Sequence, residues 1–119
     1  MCFELDSLPP VPRISGAAVS HDDLVLEAAD RNRFAAFAAT PDEPTGAGVV
    51  VLPDVRGLYR FYEELALRFA ERGIAAVAID YFGRTAGIGK RGDDATRDHL
   101  PLEAPVHAGA ANHSCLRKR

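Results

Sequence analysis

Two short apolar runs that flank an amphipathic segment constrain this chain more than any other feature. The first run, VVVL, covers residues 49–52, and the second, IAAVAID, covers residues 74–80. Between them, residues 60–72 repeat aromatic and aliphatic side chains about every four positions, which is the period of a helix with one apolar face. Gly73 follows and suits the left-handed position that ends such a helix. The pattern predicts a strand–helix–strand unit with parallel strands.

Two details of this unit can also be predicted. The run at residues 49–52 is continuously apolar rather than alternating, which indicates a strand buried on both faces of the sheet. On the side of the helix away from its apolar face, Glu64 and Arg68 lie four residues apart, so we expect them to form an ion pair.

Upstream of these runs, the sequence has the pattern of a β-hairpin. Leu24 and Leu26 alternate with polar or small residues, residues 30–32 (DRN) have turn composition, and residues 34–39 form the second predicted strand. Three prolines in the first twelve residues make residues 1–20 an irregular lead-in. The predicted fold class is therefore α/β, an antiparallel hairpin followed by one βαβ unit.

The composition changes after about residue 90. Residues 91–119 contain no Phe, Tyr or Trp and only one valine. Such a segment buries too little apolar area to offset its ordering entropy, so we expect a disordered or poorly ordered tail. The chain then divides into the lead-in at residues 1–20, a partial α/β domain at residues 21–90 and this tail at residues 91–119.

Composition and charge exclude several classes of function. The net charge of -3 and the pI near 5.7 argue against nucleic acid as a partner. The two cysteines form neither a disulfide framework nor a zinc motif, and three tail histidines lack the spacing of metal ligands. No apolar stretch approaches the ~20 residues that span a bilayer, and the start lacks a signal-peptide pattern. We expect a cytoplasmic protein without a metal.

No motif for a cofactor or a nucleophile is convincing. The pattern G-x-G-x-x-G occurs at residues 87–92, but it does not lie between a strand and a helix, so we expect no dinucleotide and no other cofactor. The nucleophile elbows G-x-S-x-G and G-x-C-x-G are absent from the sequence. Cys115 has His113 nearby, but nothing in the tail would form an oxyanion hole around it.

Three residues mark a candidate site at the ends of the two apolar runs. In parallel α/β sheets ligands bind beyond the carboxyl ends of the strands, and Asp54 follows the first run. Its carboxylate either acts on a neighbouring group or caps the helix. The N–H of Val55 is placed to donate to an oxyanion in the same crevice. Arg84, beyond the second run, either holds a substrate carboxylate there or is a surface arginine.

Residues 48–84, GVVVLPDVRGLYRFYEELALRFAERGIAAVAIDYFGR, resemble the N-terminal portion of the dienelactone hydrolase family, which has the α/β-hydrolase fold. The shared marks are an apolar strand that ends in an acid, a short loop with Gly57, an amphipathic helix that ends in AERG, and a strand that ends in D-x-x-x-R. The resemblance implies the N-terminal part of an α/β-hydrolase sheet and a small-molecule ester or lactone as the substrate.

The resemblance also assigns roles to the three site residues. In the family a glutamate at the position of Asp54 interacts with a nucleophilic cysteine, so the acid here is one methylene shorter. The N–H at the position of Val55 contributes to the oxyanion hole, and an arginine at the position of Arg84 contacts the substrate carboxylate. The nucleophile elbow, a later aspartate and a histidine complete the family's site, and this sequence has no counterpart of them.

The resemblance covers roughly residues 20–90, about the first third to half of a family domain. We therefore expect a truncated or frame-shifted member whose tail is read out of register, and which does not hydrolyse esters by itself. The alternative is a non-catalytic fragment or interaction module that pairs through an open sheet edge, including self-association.

Overall fold

The computed structural model of the chain describes residue 4 and residues 6–89. The predictions for the tail at residues 91–119, including those for Cys115 and the tail histidines, lie outside the described residues. Within them, four strands and two helices follow one another. These elements are β1 (Val19–Glu27), β2 (Arg33–Pro41), β3 (Gly48–Val51), α1 (Arg60–Ala70), β4 (Ala75–Ile79) and α2 (Gly83–Ala86).

The predicted hairpin is confirmed. Strands β1 and β2 pair antiparallel, with Val19 opposite Pro41 at one end and Glu27 opposite Arg33 at the other. In the turn, the N–H of Asn32 donates to Asp30 Oδ1 at 3.1 Å. Aspartate accepts such bonds from the backbone two residues further on, which explains its preference for turns.

The four strands form one mixed sheet in the order β1-β2-β4-β3. Strand β2 pairs antiparallel with β4, and β3 pairs parallel with β4, so the predicted βαβ unit is confirmed. Because β2 runs against β4, its first residues lie at the carboxyl end of β4. The β1–β2 turn and the carboxyl ends of β3 and β4 therefore lie along the same border of the sheet, which is called the carboxyl edge below.

Helix α1 packs its apolar face against one side of this sheet. Gly73 ends the helical segment with a φ of 82°, as predicted, and the N–H of Ile74 donates back to the carbonyl of Phe69 at 3.1 Å. A Cβ at Gly73 would lie 2.9 Å from Thr45 Cγ2, so the β2–β3 loop also requires glycine there. The buried core combines Phe61, Tyr62, Ala66 and Ala70 of α1 with Phe37, Ala39, Val51, Ala76 and Ala78 of the sheet.

The prediction that residues 49–52 are buried on both faces is wrong. Val51 faces the core and is 9% exposed, but Val50 is 62% exposed and Leu52 is 64% exposed. Helix α1 covers only one face of the sheet. In the part of the chain that the structure describes, nothing covers the other face of β3, and β3 pairs only with β4.

The outer side of α1 is covered by the irregular lead-in. The predicted pair of Glu64 and Arg68 is confirmed at 2.5 Å, and a second carboxylate, Glu71, holds the same guanidinium at 2.8 Å. The N–H of Ile14 donates to Glu71 at 3.0 Å, and Arg72 donates to a lead-in carbonyl at 2.9 Å. Arg68 is consequently buried rather than solvated, and its two carboxylates offset its charge.

Candidate functional site

The loop between β3 and α1 is shaped by the side chain of Asp54. Its Oδ1 accepts the N–H of Arg56 at 2.9 Å, and its carbonyl accepts the N–H of Gly57 at 2.9 Å. Gly57 has a φ of 77°, a conformation that costs glycine little. These bonds close a tight turn directly after β3, which places the turn at the carboxyl edge of the sheet.

The alternative that Asp54 caps α1 is wrong. The residue at the helix N-cap is Tyr59, and no side chain caps the helix there. The carboxylate of Asp54 binds within its own loop, while its N–H donates to Tyr62 Oη at 2.9 Å. The first turn of α1 is thereby tied to the loop through a tyrosine hydroxyl rather than through a carboxylate.

A buried arginine lies against the Asp54 carboxylate. Arg56 Nη2 is 3.5 Å from Asp54 Oδ2, and both side chains are nearly buried, with 11% and 12% of their surface exposed. The same nitrogen donates to Tyr59 Oη at 2.7 Å, and the guanidinium carbon lies 4.7 Å from the centre of the Tyr59 ring. Among the described residues, Asp54 Oδ2 and Arg56 Nε have no hydrogen-bond partner.

Three tyrosines lie within reach of the Asp54 charge. Burial and the nearby carboxylate raise the pKa of Tyr62 to about 12, and the same causes raise the pKa of Tyr59. Burial also raises the pKa of Tyr81, with smaller contributions from Asp54 and Asp80. All three effects favour the neutral phenol, so these hydroxyls are hydrogen-bonding groups rather than bases at neutral pH.

The backbone N–H of Val55, the predicted oxyanion donor, lies in the turn directly after β3. Val55 lies between the two residues that close the turn and is half-buried. No acceptor for its N–H occurs within residue 4 and residues 6–89. An unpaired N–H at the carboxyl edge of a parallel sheet suits an anionic group, although its role stays a prediction.

Arg84 also lies at the carboxyl edge of the sheet, but beside the β1–β2 turn. Its guanidinium donates to Asp30 Oδ2, and this bond lowers the pKa of that carboxyl. Both side chains are substantially exposed, at 62% and 49%. Helix α2 approaches β2 so closely that residue 83 must be glycine, because a Cβ there would lie 2.6 Å from Phe34 Cβ. In the described contacts, Arg84 therefore meets the hairpin rather than Asp54, and its substrate role stays a prediction.

The carboxyl end of β4 carries a second buried acid, Asp80, which is completely buried. Its N–H donates to the carbonyl of Ala35 at 2.8 Å, and its Oδ1 accepts the N–H of Phe82 at 3.2 Å. Asp80 thus turns the chain from β4 into α2 and fixes the position from which Arg84 extends.

The sequence patterns did not identify Arg56, Tyr59, which holds its guanidinium, or Tyr62, which accepts the Asp54 N–H. Arg56, Tyr59 and Tyr62 are spaced three residues apart, and the two tyrosine rings meet edge to face with centroids 5.1 Å apart. The spacing of Tyr59 and Tyr62 at the helix start was the available signal for the two rings, because residues three apart lie on one side of a helix, whereas Arg56 precedes α1 and gives no such signal. A pattern of apolar residues does not reveal it, since the tyrosines count equally well as core residues.

Comparison with known proteins supports one family. The family model for "Dienelactone hydrolase family" matches residues 34–111. A search of curated proteins gave no match. Among the described residues, no helix is long and apolar enough to cross a membrane.

Two solved structures share the fold. One is a protein from Klebsiella pneumoniae subsp. pneumoniae MGH 78578 that is provisionally described as a dienelactone hydrolase. It aligns with a TM-score of 0.52 and 21% identity over 61% of this chain and 30% of its own. The other, m3DLH, aligns with a TM-score of 0.52 and 30% identity over 65% of this chain and 31% of its own. The chain thus spans about a third of these structures.

The raised tyrosine pKa values predict loss of stability in alkali. Folding favours the neutral phenol, so this contribution is complete below the ordinary tyrosine pKa of 10.0 and is lost as pH rises from 10.0 toward about 12. Most of the ultraviolet absorbance of tyrosinate should therefore appear above pH 10, together with a falling free energy of unfolding. In Tyr62→Phe the free energy of unfolding should fall less steeply as the pH rises above 10. Half-ionised tyrosines at pH 10 in folded protein would contradict the expectation.

Proposed function

Because the chain belongs to the dienelactone hydrolase family, we propose that it forms the oxyanion side of a site that hydrolyses esters or lactones. The observation that carries this proposal is the Val55 N–H, which has no acceptor in the described part of the chain and follows Asp54 at the carboxyl end of β3. In hydrolases of this fold, the loop at this point supplies one oxyanion donor.

The proposed roles follow the family's site residue by residue. The Val55 N–H holds the oxyanion, the Asp54 carboxylate lies beside the nucleophile, and Arg84 receives a substrate carboxylate. Arg84 would have to leave Asp30 to do so. Both side chains of this pair are substantially exposed and water screens their charges, so a substrate carboxylate can compete with the pair.

The chain alone is proposed to be inactive. Its sequence contains neither G-x-C-x-G nor G-x-S-x-G, so the attacking group and the second oxyanion donor are missing. That the tail after residue 90 is out of frame stays a prediction. The family match runs to residue 111, which argues against a change of reading frame near residue 90.

The inactivity is tested with p-nitrophenyl acetate. The purified chain should release p-nitrophenol at the rate of buffer alone, because one oxyanion donor without a nucleophile does not open an acyl-transfer route. Turnover well above buffer that disappears in Asp54→Ala would contradict this expectation.

The role of Val55 is tested in a chimera that joins residues 1–89 to the remaining C-terminal part of the Klebsiella relative. If the chimera hydrolyses the ester, Val55→Pro, which removes the N–H, should lower kcat by about 10²-fold. Val55→Ala keeps the N–H and serves as the matched control. Equal rates for the two variants would exclude Val55 as an oxyanion donor.

A second candidate function is pairing through the edge of β3. Strand β3 carries no charged residue, and the uncovered face at β3 and just beyond its end presents Val50 at 62% and Leu52 at 64% exposure. The opposite edge, β1, is protected by charged side chains, as natural edge strands usually are. Those side chains are Asp22, Asp23 and Glu27. An unprotected apolar edge favours pairing with a complementary segment or with a second copy.

Self-association at this edge has a direct test in size-exclusion chromatography. The chain should elute above the monomer mass in a concentration-dependent manner, and Val50→Lys should shift it toward the monomer. Val25→Lys is the control, because Val25 is an exposed valine on β1 at 46% exposure. A monomer at every concentration, or an equal effect of the two lysines, would exclude this edge as the interface.

A further inference from the structure

Arg56 contacts the Asp54 carboxylate from two sides. Its backbone N–H donates to Oδ1 at 2.9 Å, and its guanidinium lies 3.5 Å from Oδ2. The hydrogen bond and ring contact with Tyr59 hold the guanidinium at this position. The arginine therefore does not sample the loop freely, and its charge stays beside the carboxylate.

The burial of both side chains makes this pairing energetically necessary. A buried charge without a counter-charge is strongly destabilising, and these two side chains are only 11% and 12% exposed. The other arginine of the candidate site is engaged elsewhere. Arg84 pairs with Asp30, and among the described ion pairs Asp54 meets only Arg56.

An oxyanion at Val55 raises a further electrostatic requirement. A negative charge that develops at the Val55 N–H would lie next to the carboxylate of the preceding residue, and like charges repel strongly where water is partly excluded. A positive charge fixed on the following residue offsets this repulsion. The order Asp54, Val55, Arg56 places the donor between one charge of each sign.

We propose that Arg56 is the counter-charge of this site, which cancels the Asp54 carboxylate so that negative charge can develop on a group bound at the Val55 N–H. Arg56 acts through Asp54 and the local potential, so it is a positioning residue. The inference rests on the proposed function in one respect, namely the role of Val55 as the donor.

The test is amide hydrogen exchange at Val55 in the 119-residue chain, followed by NMR. Hydroxide-catalysed exchange forms a transient negative charge on the amide, so its rate reports the potential at the atom in question. Arg56→Met should slow exchange at Val55 by about three- to tenfold, because the carboxylate is then uncompensated. Arg56→Lys should stay close to the wild-type rate, and Asp54→Asn should accelerate exchange by a similar factor.

The sign of the effect separates this role from a structural one. If Arg56 only held the loop together, Arg56→Met would open the loop and accelerate exchange at Val55. Acceleration or an unchanged rate would therefore overturn the proposal. Arg60→Met, which removes an exposed arginine at the start of α1, is the control and should change nothing.

Two features keep this result distinct from the proposed function. The measurement needs no turnover, so a chimera insensitive to Val55→Pro would reject the oxyanion role without affecting the exchange result. In Asp54→Asn the exchange rate at Val55 should change in the opposite direction, and asparagine keeps an oxygen that accepts the N–H of residue 56. It decides the matter if Arg56→Met does not fold, since an unchanged rate in Asp54→Asn would also overturn the proposal.

Discussion

The hydrogen bond from the Arg56 N–H to Asp54 Oδ1 is the contact on which the geometry of the β3–α1 loop depends. It closes the turn after β3, and the Asp54 N–H then reaches the hydroxyl of Tyr62 on α1. Because Tyr62 is also part of the core between α1 and the sheet, one side chain connects the loop to the packing of the domain. The position of the Val55 N–H is a consequence of that connection.

An aspartate suits this turn better than the glutamate of the family does. Aspartate readily accepts a hydrogen bond from the backbone two residues further on, and the extra methylene of glutamate weakens that preference. The shorter acid here is consistent with a carboxylate held inside its loop and compensated by Arg56. The resemblance identifies the position, while the contacts of this chain describe what the residue does in it.

The sequence predicted those features that depend on local periodicity. The hairpin, the βαβ unit and the end of the helix at Gly73 follow from patterns of two and of about four residues and from one glycine. The exposure of Val50 was not predictable in the same way, because it depends on what covers the sheet. An apolar run indicates that a strand can be buried on both faces. Its actual exposure depends on which other elements cover those faces.

The partners of the site residues were harder to predict, for physical reasons that differ. Arg84 meets Asp30, which is 54 residues away, and no local pattern encodes a contact at that distance. Arg56 lies only two residues from Asp54, but a loop arginine gives no periodic signal, and its burial depends on Tyr59 folding over it. The ends of the parallel strands identified Asp54 and Val55 as candidates, because topology alone places them beyond the carboxyl end of β3, where ligands bind in parallel α/β sheets.

The most direct measurement of the central claim, that the Asp54 carboxylate shapes its own loop, compares the free energies of unfolding of Asp54→Asn and Asp54→Ala. Both variants remove the negative charge beside Arg56, but asparagine retains an Oδ1 that accepts the Arg56 N–H and alanine does not. The account predicts that Asp54→Ala is less stable than Asp54→Asn by about 1 kcal/mol or more. Equal stability of the two variants, or a more stable alanine variant, would contradict it.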